Sequence, residues 1–307
     1  MVFQLLFSNS CKIEVINATD GGLLDVFPRV SYQRLFESGS KPQTQRPGYW
    51  GNYPSWESAL SDSDGYDSPV ILEKVKTAIL QVSSGRGAYE RDSVVFEQVQ
   101  IEWIQSLLQH IKTITAFKKR PLRVIDFGGS LGGTFRALKS FLDPNLLPEW
   151  IVVEQDNYVE CGNEHFKDRC LCFFDAVESV PDTVNVDIIL FSGVLQYLPY
   201  PFKILEQAVA LGIEYILIDR TPFIRESDRI TVQVVPREIY PASYPAWFFN
   251  SRNFLTFFQE RNYMLKDMFQ ALDQANIPSQ YLGILFQSEK NNLGQEAGIH
   301  ADSTRCI

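Results

Sequence analysis

The chain has 307 residues, enough to bury a substantial core as one large domain or as one domain with an appended piece. Acidic residues outnumber basic ones, 37 to 28, and the formal net charge of -9 disfavours a nucleic-acid partner, because phosphate binding needs clustered Lys and Arg. Five cysteines without Cys-x-x-Cys or zinc-type spacing point to free thiols in a reducing compartment and to no bound metal.

The apolar runs fall far short of a membrane span, and residues 1–7 lack the basic flank of a signal peptide, so a cytoplasmic location is expected. Residues 24–37 show weak helical periodicity, and 38–48 form a Ser, Gly, Pro and Gln-rich linker. Residues 1–48 therefore read as an N-terminal extension and linker.

Residues 49–117 read as a helical, aromatic cap. Trp50, Tyr53 and Trp56 cluster before a short helix that Ser55 is placed to cap. Pro69 suits the first position of a helix whose face carries Ile71, Val75, Ala78, Ile79 and Val82. A further amphipathic helix uses Phe96, Val99, Trp103, Leu107 and Ile111. Aromatics this dense are usually core; the alternative is a lid that walls a pocket. Between the helices, Tyr89 and Arg91 could clamp a carboxylate, or Arg91 could simply pair with a neighbouring acid. The basic residues Lys118, Lys119, Arg120 and Arg123 read as a solvated run.

Residues 122–126 make a short apolar run ending on Asp126, and the next seven hold Gly128, Gly129, Gly132 and Gly133. A buried parallel strand, a glycine turn where a ligand can touch bare backbone, and a helix with Phe135, Leu138 and Leu142 on one face open the nucleotide-binding half of a doubly wound fold. Asp126 bears on the ligand. A carboxylate about 5 Å from a pyrophosphate costs roughly 3 kcal/mol at an effective dielectric of about 20, whereas a cationic ligand reverses the sign. S-adenosylmethionine carries an ammonium and a sulfonium and no phosphate. Gly128, Ser130 and Gly133 also imitate a dinucleotide fingerprint, a weak match on its own.

The second strand, 150–154, ends on Glu154, 22 positions beyond Gly132, where a carboxylate fits a ribose diol in either kind of nucleotide site. The third, 170–174, is followed by Asp175, which either meets an adenine or caps the next turn. The fourth, 186–191, runs into Ser192, Gly193 and the Leu195-Gln196-Tyr197 loop. The fifth, 214–218, ends on Asp219 and Arg220, which would face the site or pair internally. Residues 230–235 alternate like an exposed strand, 240–247 form an aromatic loop with Tyr244 and Trp247, and Phe254, Phe257 and Phe258 begin a helix. Strands over 263–268 and 281–286 complete a seven-strand, mostly parallel sheet with an antiparallel last pair. The catalytic region is thus 118–288, followed by a polar tail over 289–307.

The acidic residue and glycines at 126–133 resemble the first motif of class I S-adenosylmethionine-dependent methyltransferases, with Ser130 where the family has its second glycine. Together with that turn, Trp50-Gly51-x-Tyr53-x-Ser55-Trp56, Gly65-Tyr66, residues 89–93, Leu195-Gln196-Tyr197, Asp219-Arg220-Thr221-Pro222 and Ser243-Tyr244-Pro245-x-Trp247 resemble one little-characterised branch of that family, often associated with bacterial surface-polysaccharide biosynthesis. The resemblance spans about residues 25–287. It implies a Rossmann-like α/β fold, S-adenosylmethionine as cofactor and methyl transfer to oxygen or nitrogen of a small molecule such as a sugar nucleotide or glycan. On that reading Tyr89, Arg91, Asp126, Gly128, Gly129, Ser130, Gly132, Glu154, Asp175, Ser192 and Gly193 hold the cofactor. Trp50, Tyr53, Arg220 and Trp247 meet the acceptor, and Asp219, Tyr197 and Tyr244 are the candidates for chemistry. His110 and His165 are placed away from it. The competing readings are an NAD(P)-dependent oxidoreductase and a non-catalytic cofactor-binding module of a glycan-assembly complex.

Overall fold

The computed structural model describes residues 46–65, 69–91, 93–98, 101–239 and 242–289. The expected helix over 24–37 and the tail after 289 lie outside them, as do Tyr66, Val99, Tyr240 and Pro241. A compact unit begins at Arg46. It opens with β1 (Gly48–Tyr53), α1 (Trp56–Ser61) and α2 (Pro69–Ser83), then the hairpin β2 (Tyr89–Arg91) and β3 (Val94–Phe96), and α3 (Gln105–Lys118). Ser55 caps α1 in a reciprocal box with Ser58, and α2 starts at Pro69. The helix expected from Phe96 onward begins later: Phe96 pairs with Tyr89 in the hairpin, and the α-helix starts only at Gln105.

Alternating strands and helices follow: β4 (Arg123–Phe127), α4 (Gly133–Lys139), β5 (Glu149–Val153), α5 (Asp156–His165), β6 (Leu171–Phe174), β7 (Ile188–Ser192), α6 (Pro201–Ala210) and β8 (Tyr215–Ile224). The chain closes with β9 (Arg229–Val234), β10 (Ser243–Asn250), α7 (Ser251–Gln259), β11 (Tyr263–Gln270) and β12 (Gln280–Ser288). Strands β6, β5, β4, β7 and β8 lie side by side and parallel, and β12 runs antiparallel against β8 with β11 beyond it. The architecture is mixed α/β with a mostly parallel centre.

The sheet differs from the seven-strand expectation in having ten strands among the described residues. Strand β8 does not stop at Ile218 but continues to Ile224, and its far end pairs with β10, which pairs with β9, which pairs with β1. The segment read as an aromatic loop is thus mostly β10, and the cap region contributes a strand as well as helices. Successive residues serve opposite faces: Val124 belongs to the cluster that holds Ile111, Phe135 and Trp150, and Ile125 to the one that holds Leu205 and the α7 phenylalanines. Helices on both faces hold the strand ends in register, and those ends carry the site.

Candidate functional site

The turn after β4 is shaped by three left-handed residues, Gly128 (φ 72°), Ser130 (φ 53°) and Gly132 (φ 80°). A Cβ on Gly128 would stand 2.3 Å from Val194, and one on Gly129 would stand 2.6 Å from the Asp126 carboxyl. Only bare backbone fits between these groups. Gly132 serves packing instead: it is the N-cap of α4, and a Cβ there would meet Leu171 at 2.9 Å.

A cavity of about 1240 Å³ opens above the carboxyl ends of β4 to β8 and reaches across to β1, β9 and the loop at Asp273–Asn276. This is where ligands sit in open α/β sheets, and the volume exceeds the roughly 300–1,000 Å³ of a typical small-molecule site. Of the residues expected to hold a cofactor, Arg91, Asp126, Gly128, Gly129, Ser130, Glu154, Asp175, Ser192 and Gly193 line it. Tyr89 and Gly132 do not. Tyr89 is stacked between Phe96 at 4.7 Å and Trp103 at 5.5 Å, so its ring holds the hairpin onto the cap.

The cavity is acidic. Its described lining has seven carboxylates, those of Asp64, Glu90, Asp126, Glu154, Asp175, Glu178 and Asp273, against two arginines and no lysine. Asp126 is 1% exposed and accepts a hydrogen bond from Trp150 Nε1 at 2.9 Å. Burial pushes its pKa up to about 7; the Trp150 bond opposes the rise and the Glu154 charge adds to it. Glu154 is also raised by burial, while its Oε2 accepts from the backbone of Gln155 at 2.8 Å. Asp175 is exposed on the rim, and the turn that follows has Ala176 as its cap without a side-chain bond. Both arginines are engaged by one acid: Arg91 Nη2 meets Asp273 Oδ1 at 2.6 Å, and Arg220 reaches the same carboxylate through Nε and Nη2 at 3.1 to 3.3 Å.

Among the candidates for chemistry, Tyr197 and Tyr244 line the cavity, packed edge to face at 5.2 Å, and Tyr197 Oη donates to Gln233 Oε1 at 2.7 Å. Asp219 does not line it. It sits mid-strand at 2% exposure because β8 continues past it, and Ser192 Oγ donates to its Oδ2 at 3.3 Å. Burial lifts its pKa to about 6. Any influence on an acceptor would pass through Ser192.

Among the residues expected to meet the acceptor, Arg220 lines the cavity, and Trp50, Tyr53 and Trp247 do not. Trp50 donates to the Arg46 carbonyl on the surface. Tyr53 and Trp247 pack with Trp56 around Ile230 and Val232, and Trp247 Nε1 donates to Leu198 O at 3.0 Å. Of the aromatics in this cluster, Trp56 lines the cavity and Tyr53 and Trp247 are half-buried beside it. His110 and His165 also lie off the cavity. Among the described residues no cluster of His, Cys, Asp and Glu is arranged to hold a metal, and no helix is long and apolar enough to cross a membrane.

Several lining residues were given no role from the sequence. Gln196 is 2% exposed; its Nε2 donates to Arg220 O at 3.1 Å, and its Oε1 is buried without a partner among the described residues. An unmade bond at such an atom costs about 1–3 kcal/mol. Tyr281 Oη donates to Tyr49 Oη at 2.9 Å, and burial pushes both phenol pKa values up. Asn276 brackets the Tyr49 backbone, accepting from its N–H at 2.7 Å and donating to its carbonyl at 3.0 Å.

No protein-family model matches this sequence, and no curated protein matches it. Solved structures with a similar fold include the Burkholderia thailandensis 1,6-didemethyltoxoflavin-N1-methyltransferase with bound 1,6-didemethyltoxoflavin and S-adenosylhomocysteine. It is 12% identical over 74% of this chain and 94% of that one, with a TM-score of 0.42. The N-terminal domain of EvdMO1 with S-adenosylhomocysteine bound is 12% identical over 73% and 98%, at 0.45. The Synechocystis PCC 6803 magnesium protoporphyrin IX methyltransferase with bound S-adenosylmethionine is 11% identical over 74% and 99%, at 0.39.

Proposed function

We propose that the chain is an S-adenosylmethionine-dependent methyltransferase that moves a methyl group in line to an oxygen or nitrogen of a small molecule, a sugar or glycan precursor. The observation that carries this reading is the acidic cavity floored by bare backbone at the β4–α4 turn: seven carboxylates against two arginines, both paired with Asp273, and no lysine among the described lining residues favour a cation and oppose a pyrophosphate. The same imbalance weighs against a nicotinamide dinucleotide. Bound there, S-adenosylmethionine would supply a methyl group activated by its sulfonium.

In this reading Gly128, Gly129 and Ser130 let the turn approach the ligand, Asp126 supplies negative charge beneath it, and the two oxygens of Glu154 accept from a vicinal ribose diol. Asp175 reaches the adenine from the rim. Arg91, steadied by Asp273, takes the methionine carboxylate. Residues 49–117 act as a cap over the catalytic region 118–288. Holding the nucleophile near attack distance supplies roughly 7–11 kcal/mol of the barrier, so no strong base is required.

Isothermal titration with S-adenosylmethionine tests the proposal. The parent chain is expected to bind, and Glu154→Ala to bind at least about tenfold more weakly, the worth of one charge-assisted contact. Absence of heat from the parent, or unchanged affinity in the variant, would overturn it.

A further inference from the structure

Of the seven carboxylates in the described lining of the cavity, six already have a use. Asp126 is sealed under the β4–α4 turn, Glu154 and Asp175 are given to the nucleoside, and Asp273 sits between the two arginines. Asp64 accepts from Ser243 Oγ at 3.0 Å, and Glu178 accepts from Gln207 Nε2 at 3.1 Å. The seventh, Glu90, belongs to β2 of the cap and is 9% exposed. Its Oε1 accepts from the Ser93 backbone N–H at 2.7 Å, across the turn between β2 and β3.

The other oxygen of Glu90 lies against the glycine turn. A Cβ on Gly133 would stand 2.7 Å from Glu90 Oε2. No left-handed φ accounts for a glycine at 133, and none accounts for Gly129, whose Cβ would strike the Asp126 carboxyl. Each of these two glycines leaves room for an acid group, one beneath the turn and one reaching it from the cap. Glu90, Gly129 and Gly133 line the same cavity.

S-adenosylmethionine offers a nucleoside, a carboxylate and an ammonium. Glu154 and Asp175 serve the first and Arg91 the second. An ammonium carries three N–H donors and is held best by a carboxylate in contact with it. Asp126 acts on it through charge alone, being 1% exposed with its Oδ2 bonded to Trp150. Glu90 directly precedes Arg91 in β2, and the ammonium and carboxylate of an amino acid hang from one carbon. We propose that Glu90 accepts the ammonium of the cofactor's amino-acid end through Oε2, beside Gly133. The inference rests on the methyltransferase reading. It makes the β2–β3 hairpin the part of the cap that recognises the cofactor.

The rival role is structural: a carboxylate near the first residue of α4 complements the positive end of that helix. Glu90→Gln separates the two, because it keeps an oxygen for the Ser93 N–H and removes the charge. The probes are S-adenosylhomocysteine, whose ammonium is its only cationic group, and its analogue with hydrogen in place of the amino group, both titrated calorimetrically near neutral pH. The parent should prefer S-adenosylhomocysteine by roughly tenfold or more, the worth of one charge-assisted bond. Glu90→Gln should lose roughly tenfold for S-adenosylhomocysteine and bind the des-amino analogue as the parent does. If Glu90→Gln melts well below the parent, Glu90→Asp is titrated in its place: it keeps the charge in the hairpin and draws it back from the turn by one methylene, and its loss should again fall on S-adenosylhomocysteine alone. No preference in the parent, parental affinity for S-adenosylhomocysteine in the titrated variant, or equal losses for both probes would overturn the inference. Failure of the parent to bind either probe is a separate result and would sink the reading beneath it.

Discussion

A carboxyl group sealed beneath a glycine turn resists ionisation, and Asp126 is such a group. Its pKa of about 7 lies well above the roughly 3.9 of an unfolded aspartate. Between those values the folded chain holds a proton that the unfolded chain has lost, so stability without ligand should fall as pH rises from about 4 to about 7. Asp219, raised to about 6, contributes with the same sign. A bound cation favours the ionised form, so affinity for S-adenosylmethionine should rise from pH 6 to pH 8 with release of part of a proton. Titrations in buffers of different ionisation enthalpy measure that release. Asp126→Asn should bind roughly tenfold more weakly at pH 8, lose the pH dependence, and unfold at higher denaturant than the parent at that pH. A variant with an unaltered pH profile would show that this carboxyl is not coupled to the ligand. The position of Asp126 between β4 and the glycine turn was legible because the apolar run before it and the glycines after it are its neighbours in sequence. The burial of Asp219 was not, because it depends on how far β8 runs.

The β4–α4 turn is the element most constrained by what it lacks. Gly128→Ala places a Cβ against Val194 at a φ of 72°, so it should cost about 1–3 kcal/mol in strain and weaken ligand binding with it, read by denaturant unfolding and titration. Ser130 already tolerates a φ of 53°, and Ser130→Gly should leave stability within about 1 kcal/mol of the parent. Equal losses in both variants would mean that space, not backbone conformation, governs the turn. Elements with a clear period were readable from sequence, as β4, β5, α2 and the start of α7 illustrate. Strand β10 was hidden by Pro245, a residue that argues against a strand, and by nearly continuous burial that erases alternation. The hairpin of β2 and β3 has three residues a side, too short to display a period at all.

For the molecule as a whole, a ligand that binds only the folded state raises its melting temperature. At a hundred times Kd, S-adenosylmethionine should add about 2.7 kcal/mol, or roughly 4–5 °C for a chain of this size, and at one fixed concentration the shift should be larger at pH 8 than at pH 6. An equal shift with NADH would favour the dinucleotide reading instead. The side of the cavity built by β4 to β8 comes from a stretch whose order the sequence displayed. The rest of the lining was illegible for a physical reason: Arg91 meets Asp273 across 182 positions and Tyr49 meets Tyr281 across 232, distances at which no local spacing records a contact. Strand β1 rests on β9, and its Tyr49 is bracketed by Asn276. A nascent chain leaving the ribosome therefore has to keep its early aromatic strand in reserve until β9 and Asn276 have been translated. Closing so long a loop is slow. Newly made protein should gain the β4–β8 side of its cavity first and the β1 side last.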